Sequence, residues 1–197
     1  MQGKHKNAAS WRQKEIGMIL LIGGSSHTGK TLLAQRLLEK YSYPYLSLDH
    51  LKMGLIRTGL TPLQVGEDAK LREFVWPVAA EMIREAIANR QNLIVEGCYI
   101  PGHWADSFST EELAGIRCLF VTMGEEYLRK NIAAVAAYAN TIEQRQKDCV
   151  DEERLIGCSR MFREEAKAHN TANLDITEGF DIEEITARAC RLLQLDG

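Results

Sequence analysis

The sequence has little that would carry the chain into a membrane. After a polar amino terminus, the apolar run Ile16 to Ile22 is too short for a membrane span or for a signal-peptide core followed by a small-residue cleavage site. An excess of one charge is also missing. The 24 Lys plus Arg against 27 Asp plus Glu leave −3, which argues against a dedicated nucleic-acid or anionic-membrane binder. The five cysteines (Cys98, Cys118, Cys149, Cys158, Cys190) form no C-x-x-C pair and have no His pair at zinc-ligand spacing, so they read as reduced thiols of a cytoplasmic protein. Internal repeats, low-complexity tracts and linkers are absent. What is present is a globular composition, 45% hydrophobic and 26% charged over 197 residues. A chain of this length buries roughly 70% of the surface it exposes unfolded and needs no disulfide or structural metal. The expectation is a frayed leader over 1–14 and one domain over 15–197.

Apolar runs alternate with helix-period segments, the pattern of an α/β fold with a parallel sheet. Strands are expected at 16–23, 44–48, 92–96, 116–123 and 173–177. A helix over 29–40 places Leu33, Ala34, Leu37 and Leu38 on one face. A second segment runs from Asp49 to Thr58. A long helical pattern follows through Leu71, Val75, Val78 and Met82, which Pro77 should kink or restart. Ser109 and Glu112 fit a capping box, and Leu128, Ile132, Val135 and Ala139 make another stripe. Asp181 can cap a last helix carrying Ile182, Ile185, Ala189 and Leu192. The charged stretch 141–170 shows no core stripe at its start.

The strongest signal is Gly24-Ser25-Ser26-His27-Thr28-Gly29-Lys30-Thr31, a full match to G-x-x-x-x-G-K-[ST] between an apolar strand and an amphipathic helix. Its chance expectation in such a chain is on the order of 0.01. Gly24 and Gly29 permit turns closed to side chains, so that N–H groups from Ser26 through His27 and Thr28 to Thr31 converge on phosphate oxygens at a helix amino terminus. Lys30 supplies a point charge to the β and γ phosphates, and the Thr31 hydroxyl is placed to ligate Mg²⁺. A simple glycine turn is the alternative.

With this motif the chain resembles the P-loop kinases related to nucleoside monophosphate, shikimate and gluconate kinases. The resemblance covers nearly the whole domain in element order. It implies a three-layer α/β/α fold with a parallel five-stranded sheet ordered 2-3-1-4-5 and a helical lid, here about 141–170. Ligands are expected at the sheet's carboxyl edge on independent grounds. No N-K-x-D or L-S-G-G-Q sequence points to a GTPase or a transporter ATPase. The segments Leu48–Arg57 and Val95–Gly102 are similar to the aspartate-to-arginine segment and the Glu-Gly and Pro-Gly turns of 2-phosphoglycerate kinase-like proteins. Tyr99 stands where that family tends to place a His. Zeta-toxin-like kinases of nucleotide sugars share the skeleton.

Asp49 follows the second strand, and Arg57, eight residues on, returns to the same side of a helix. Asp49 could accept the acceptor proton, hold an Mg²⁺-bound water, or simply cap the helix; Arg57 could anchor an anionic group or lie in solvent. Glu96 ends the third strand in the Walker B place, where it would orient a metal-bound water or the acceptor. The loop Cys98 to Trp104 would line the acceptor pocket. Of the lid arginines, Arg160 and Arg163 share a helical face and would close over the phosphoryl group, with Arg145 and Arg154 weaker candidates. An exposed helix in which Glu152, Glu153, Glu164 and Glu165 pair with these arginines is the alternative. Phe180 follows the fifth strand at this family's adenine-contacting loop, as a core or a base-stacking residue.

The expected activity is therefore an ATP- and Mg²⁺-dependent kinase acting on a small, anionic metabolite or nucleotide. Lys30, Asp49, Arg57, Glu96, Arg160 and Arg163 would be catalytic, and Thr31, Asp49 and Glu96 would serve the metal. The partner would be a small-molecule acceptor, not nucleic acid or membrane, with the chain a monomer or homodimer. A nucleotide-binding sensor without an acceptor is the competing reading.

Overall fold

The computed structural model describes residues 17–138 and 151–195. The expected leader, Cys149, Arg145 and the first part of the expected lid lie outside the described residues. Five strands, β1 (Ile19–Gly24), β2 (Tyr45–Ser47), β3 (Leu93–Glu96), β4 (Ile116–Met123) and β5 (Ala172–Ile176), form one all-parallel sheet ordered β2-β3-β1-β4-β5. This is the expected order. The helices are α1 (Lys30–Tyr41), α2 (Leu48–Arg57), α3 (Asp68–Ala88), α4 (Thr110–Leu113), α5 (Glu125–Tyr138), α6 (Glu152–Ala168) and α7 (Ile182–Leu192).

Buried on both faces, β1 reads as a continuous apolar run and β4 as one from Cys118 to Val121, as central parallel strands should. Alternate residues of β1 point to two cores. Ile19 and Leu21 join α3, Trp76, Phe120 and Phe162, whereas Leu20 and Ile22 join Leu33, Leu37, Leu174, Ile185 and Ala189. The caps fall where the sequence places them: Ser109 and Glu112 form a reciprocal capping box, and Asp181 accepts from the N–H groups of Glu183 and Glu184.

Three expectations change. Pro77 neither breaks nor restarts α3, which is one 21-residue helix. The single N–H it removes is outweighed by the buried residues on either side, Val75, Trp76, Ala79 and Ala80. The buried stripe of α3 continues from Val75 to Ala79 and Ile83, leaving Met82 41% exposed. In α7 the inward residues are Cys190 and Leu193 rather than Leu192. The start of the charged stretch 141–170 lies outside the described residues, and its later part, α6, carries a core stripe, Leu155, Ile156, Ser159, Phe162 and Ala166, with the Phe162 ring edge-on to Phe120 at 5.3 Å. Its small and polar members hide it from a hydrophobicity count.

Candidate active site

The turn between β1 and α1 is shaped by contacts that leave no room for side chains. Gly24 takes φ +119, and a Cβ there would lie 2.1 Å from the Val121 carbonyl oxygen. Gly29 takes φ +80 as the N-cap of α1, with no side-chain cap, so the first-turn N–H groups have no side-chain partner competing for them. His27, at φ +61, adds local strain of the kind found at ligand cradles. Ser25 N–H donates to the Val121 carbonyl at 3.2 Å, and Thr28 Oγ1 donates to the Ser25 carbonyl at 2.8 Å. The buried Lys30 folds its ammonium back onto the same carbonyl. Partly exposed, Ser26 and Thr31 stand at the mouth. A concave ring of backbone donors, a buried cation and a hydroxyl fit a phosphate chain with a hard cation.

The ends of β3 and β2 adjoin this turn along the same sheet edge. Register places Glu96 beside Ile22 on one side and Ser47 on the other, and Gly97 N–H donates to Ile22 at 3.1 Å. Glu96 is 2% exposed. Asp49 occupies the first turn of α2 and not its N-cap, which is Ser47. The Asp49 carboxylate accepts from Lys52 Nζ at 2.7 Å, and that ammonium sits 5.2 Å from the centre of the Tyr99 ring. Burial, followed by the Asp49 charge, pushes the Cys98 thiol up to about 11, with Lys30 and Lys52 acting in the opposite direction. Burial likewise raises the Tyr99 hydroxyl, reinforced by Cys98, Asp49 and Asp68. Asp49 and Tyr99 are thus in direct contact with Lys52, and Cys98 and Lys30 are near enough for their charges to act on one another.

Other candidates are held elsewhere. Arg57 ends α2, exposed and about 12 Å along the axis from Asp49, and makes no hydrogen bond or ion pair with the described residues. Arg160 is paired to Glu125 at 3.1 Å, and Arg163 donates to the Met123 carbonyl and to Asp175 at 3.1 and 3.3 Å. Both therefore stand by the carboxyl end of β4, engaged with acidic or carbonyl groups. Arg154 pairs with Asp68. In the loop after β3, Tyr99 meets Lys52, Ile100 is in the core, and Trp104 Nε1 donates to Thr171 at 3.0 Å. The Phe180 ring lies against Gly29, 38% exposed, so it covers the cradle instead of filling a core.

Sequence reading missed Lys52 and Arg72. Lys52 had a legible signal, an i,i+3 relation to Asp49 in a helix. Arg72 had none, because its partners are remote: both oxygens of Glu165 at 2.8 and 2.5 Å, the Ile100 carbonyl at 2.8 Å, and the Phe162 ring at 4.9 Å. Among the described residues there is no cluster of three metal-ligating side chains and no helix long and apolar enough to cross a membrane.

The fold is that of the P-loop kinases of small molecules. A gluconokinase from Sinorhizobium meliloti 1021 is similar over 91% of this chain and 92% of its own, at 17% identity and a TM-score of 0.59. The tunicamycin resistance protein of Deinococcus radiodurans gives 14% identity, 91% and 96% coverage and a TM-score of 0.58. Shikimate kinase from Bacteroides thetaiotaomicron gives 17%, 90% and 98%, and 0.54. No protein-family model and no curated protein sequence matches the chain.

Proposed function

We propose that the protein is an ATP- and Mg²⁺-dependent kinase that transfers the γ-phosphoryl group to a hydroxyl of a small metabolite. The observation that carries this reading is the gathering at one sheet edge of a phosphate cradle with Lys30 after β1, Glu96 at the end of β3, and Asp49 paired to Lys52 in the helix that follows β2. ATP would supply the phosphoryl group and Mg²⁺ the neutralisation of its phosphate oxygens. The backbone donors of 25–31 and Lys30 would hold the phosphates, and Thr31 the metal, with Asp49 and Glu96 orienting its waters. Asp49, whose side chain is 20% exposed, is the carboxylate an acceptor can reach to lose its proton. Arg57 would meet an anionic group at the acceptor's far end. Arg160 and Arg163 would add charge to the transferring group after leaving Glu125 and Asp175, and Phe180 would pack on the nucleotide base.

The pairing of both arginines favours a second reading, a nucleotide-binding sensor that turns over no acceptor. One assay separates the two: Mg²⁺-dependent ADP release from ATP with and without D-gluconate, shikimate, 2-phosphoglycerate, nucleotides and nucleotide sugars. The kinase reading expects stimulation by one acceptor and its loss in Lys30→Ala. Tight ATP binding with acceptor-independent ADP release across the panel favours the sensor, and a Lys30→Ala variant with near-normal turnover refutes the kinase assignment.

A further inference from the structure

A lysine as enclosed as Lys52, 8% exposed, is rare unless paired, and its partner Asp49 keeps 20% of its side chain exposed. An ammonium carries three N–H donors. One goes to Asp49 Oδ1 at 2.7 Å and one side of the ammonium meets the face of Tyr99, itself 2% exposed. Asp49 is the only hydrogen-bond acceptor of Lys52 among the described residues. Stability does not require the arrangement, since enclosed ion pairs are commonly replaceable by apolar side chains at no cost. Lys30 folds onto the Ser25 carbonyl of the phosphate turn, whereas Lys52 is held by Asp49 after β2, so the two cations serve different segments of the same sheet edge.

We propose that Lys52 selects the acceptor by donating its remaining N–H to a hydroxyl on the carbon next to the one being phosphorylated, so that the acceptor is a vicinal diol. The inference rests on the kinase reading and on Asp49 facing the reacting hydroxyl. Two groups 2.7 Å apart reach acceptor oxygens separated by about 3 to 5 Å, a span that hydroxyls on adjacent carbons cover. Because Asp49 already meets the ammonium's charge, what remains is a directed donor and not an unopposed cation. A hydroxyl suits such a donor, while a phosphate ester at that carbon would also crowd the Asp49 carboxylate.

The test compares wild type, Lys52→Met, Lys52→Gln and Lys52→Arg in coupled ADP-release assays. The acceptors are D-gluconate and shikimate, which carry adjacent hydroxyls, 2-phosphoglycerate, with a phosphate beside its hydroxyl, and 3-hydroxypropionate, with a lone hydroxyl. Wild type is expected to turn over a diol and neither of the others. Lys52→Met and Lys52→Gln should raise the diol KM about 10-fold or more while the ATP KM stays within about twofold, and Lys52→Arg should recover most of the loss. The unchanged ATP KM reports intact folding, and the wild-type acceptor ranking needs no variant at all. A diol KM unmoved in both variants, or preference for 2-phosphoglycerate or the lone hydroxyl, overturns the inference while leaving a kinase. No stimulation of wild type by any acceptor overturns the kinase reading and this inference with it.

Discussion

Replacing Gly24 by Ala should damage the fold before it damages any chemistry, whereas the same change at Gly29 should do the reverse. At Gly24 the added Cβ would lie 2.1 Å from the carbonyl oxygen and 2.6 Å from the nitrogen of Val121, both backbone atoms of the central strand β4. Relief requires moving β1 away from β4. An unfavourable φ of +119 costs about 1–3 kcal/mol and the overpacking about another 1–3, so the loss is roughly 2–6 kcal/mol. At Gly29 the φ of +80 costs about 1–2 kcal/mol, and the Cβ meets the Phe180 ring at 2.6 Å, a partly exposed side chain that can swing aside. For a domain of this size each kcal/mol shifts Tm by about 2–4 °C, so Gly24→Ala should melt about 4–24 °C lower and Gly29→Ala about 2–8 °C lower. Urea denaturation and thermal scanning measure both, and ADP titration should show weakened binding in the folded Gly29→Ala protein. Equal losses, or a larger loss at Gly29, would refute the assignment of strain to the β1–β4 contact.

Two further outcomes concern groups around the cleft. Arg72→Met should destabilise by about 2 kcal/mol and Glu165→Gln by about 1, with a coupling of about 1–2 kcal/mol in the double-mutant cycle, since both side chains are largely enclosed, at 16% and 27% exposure. Additive losses in urea melts would mean that the pair does not link α3 to α6. The Cys98 thiol, held by burial near 11 against an ordinary 9.0, titrates in the unfolded chain first. Above pH 9 the unfolded state has lost a proton that the native state keeps, so stability should fall as pH rises from 9 toward 11, by up to about 2 kcal/mol. Cys98→Ala should flatten that slope in denaturation measured across the range; an unchanged slope counts against it.

The five strands, the phosphate turn and the caps at Ser109 and Asp181 were legible because each rests on local rules: apolar runs between helix-period segments, two glycines at fixed spacing, a polar residue before an apolar stripe; the strand order, a matter of long-range pairing, came only with the family resemblance. The α3 stripe was misread at Val78 and Met82 because alanines at 79, 80 and 86 carry the buried face and score weakly as hydrophobic. For α6 no stripe was nominated, because charge outnumbers apolar residues there, although five residues face inward.

The chain by itself determined which groups are present and their nearest helical neighbours: Lys30 after Gly29, Asp49 at the head of a helix, Glu96 at a strand end. Tertiary structure alone decided which of them meet. Parallel pairing brings the ends of β1, β2 and β3 to one edge, and so sets Glu96 beside Ser47 and next to the turn that holds Lys30. It also drew Arg160 and Arg163 to Glu125 and Asp175, carboxylates 35 and 12 residues away. Local propensity is fixed by residues a turn or two apart, but an ion pair across the fold depends on where packing puts two backbones, and no spacing in the sequence records that distance.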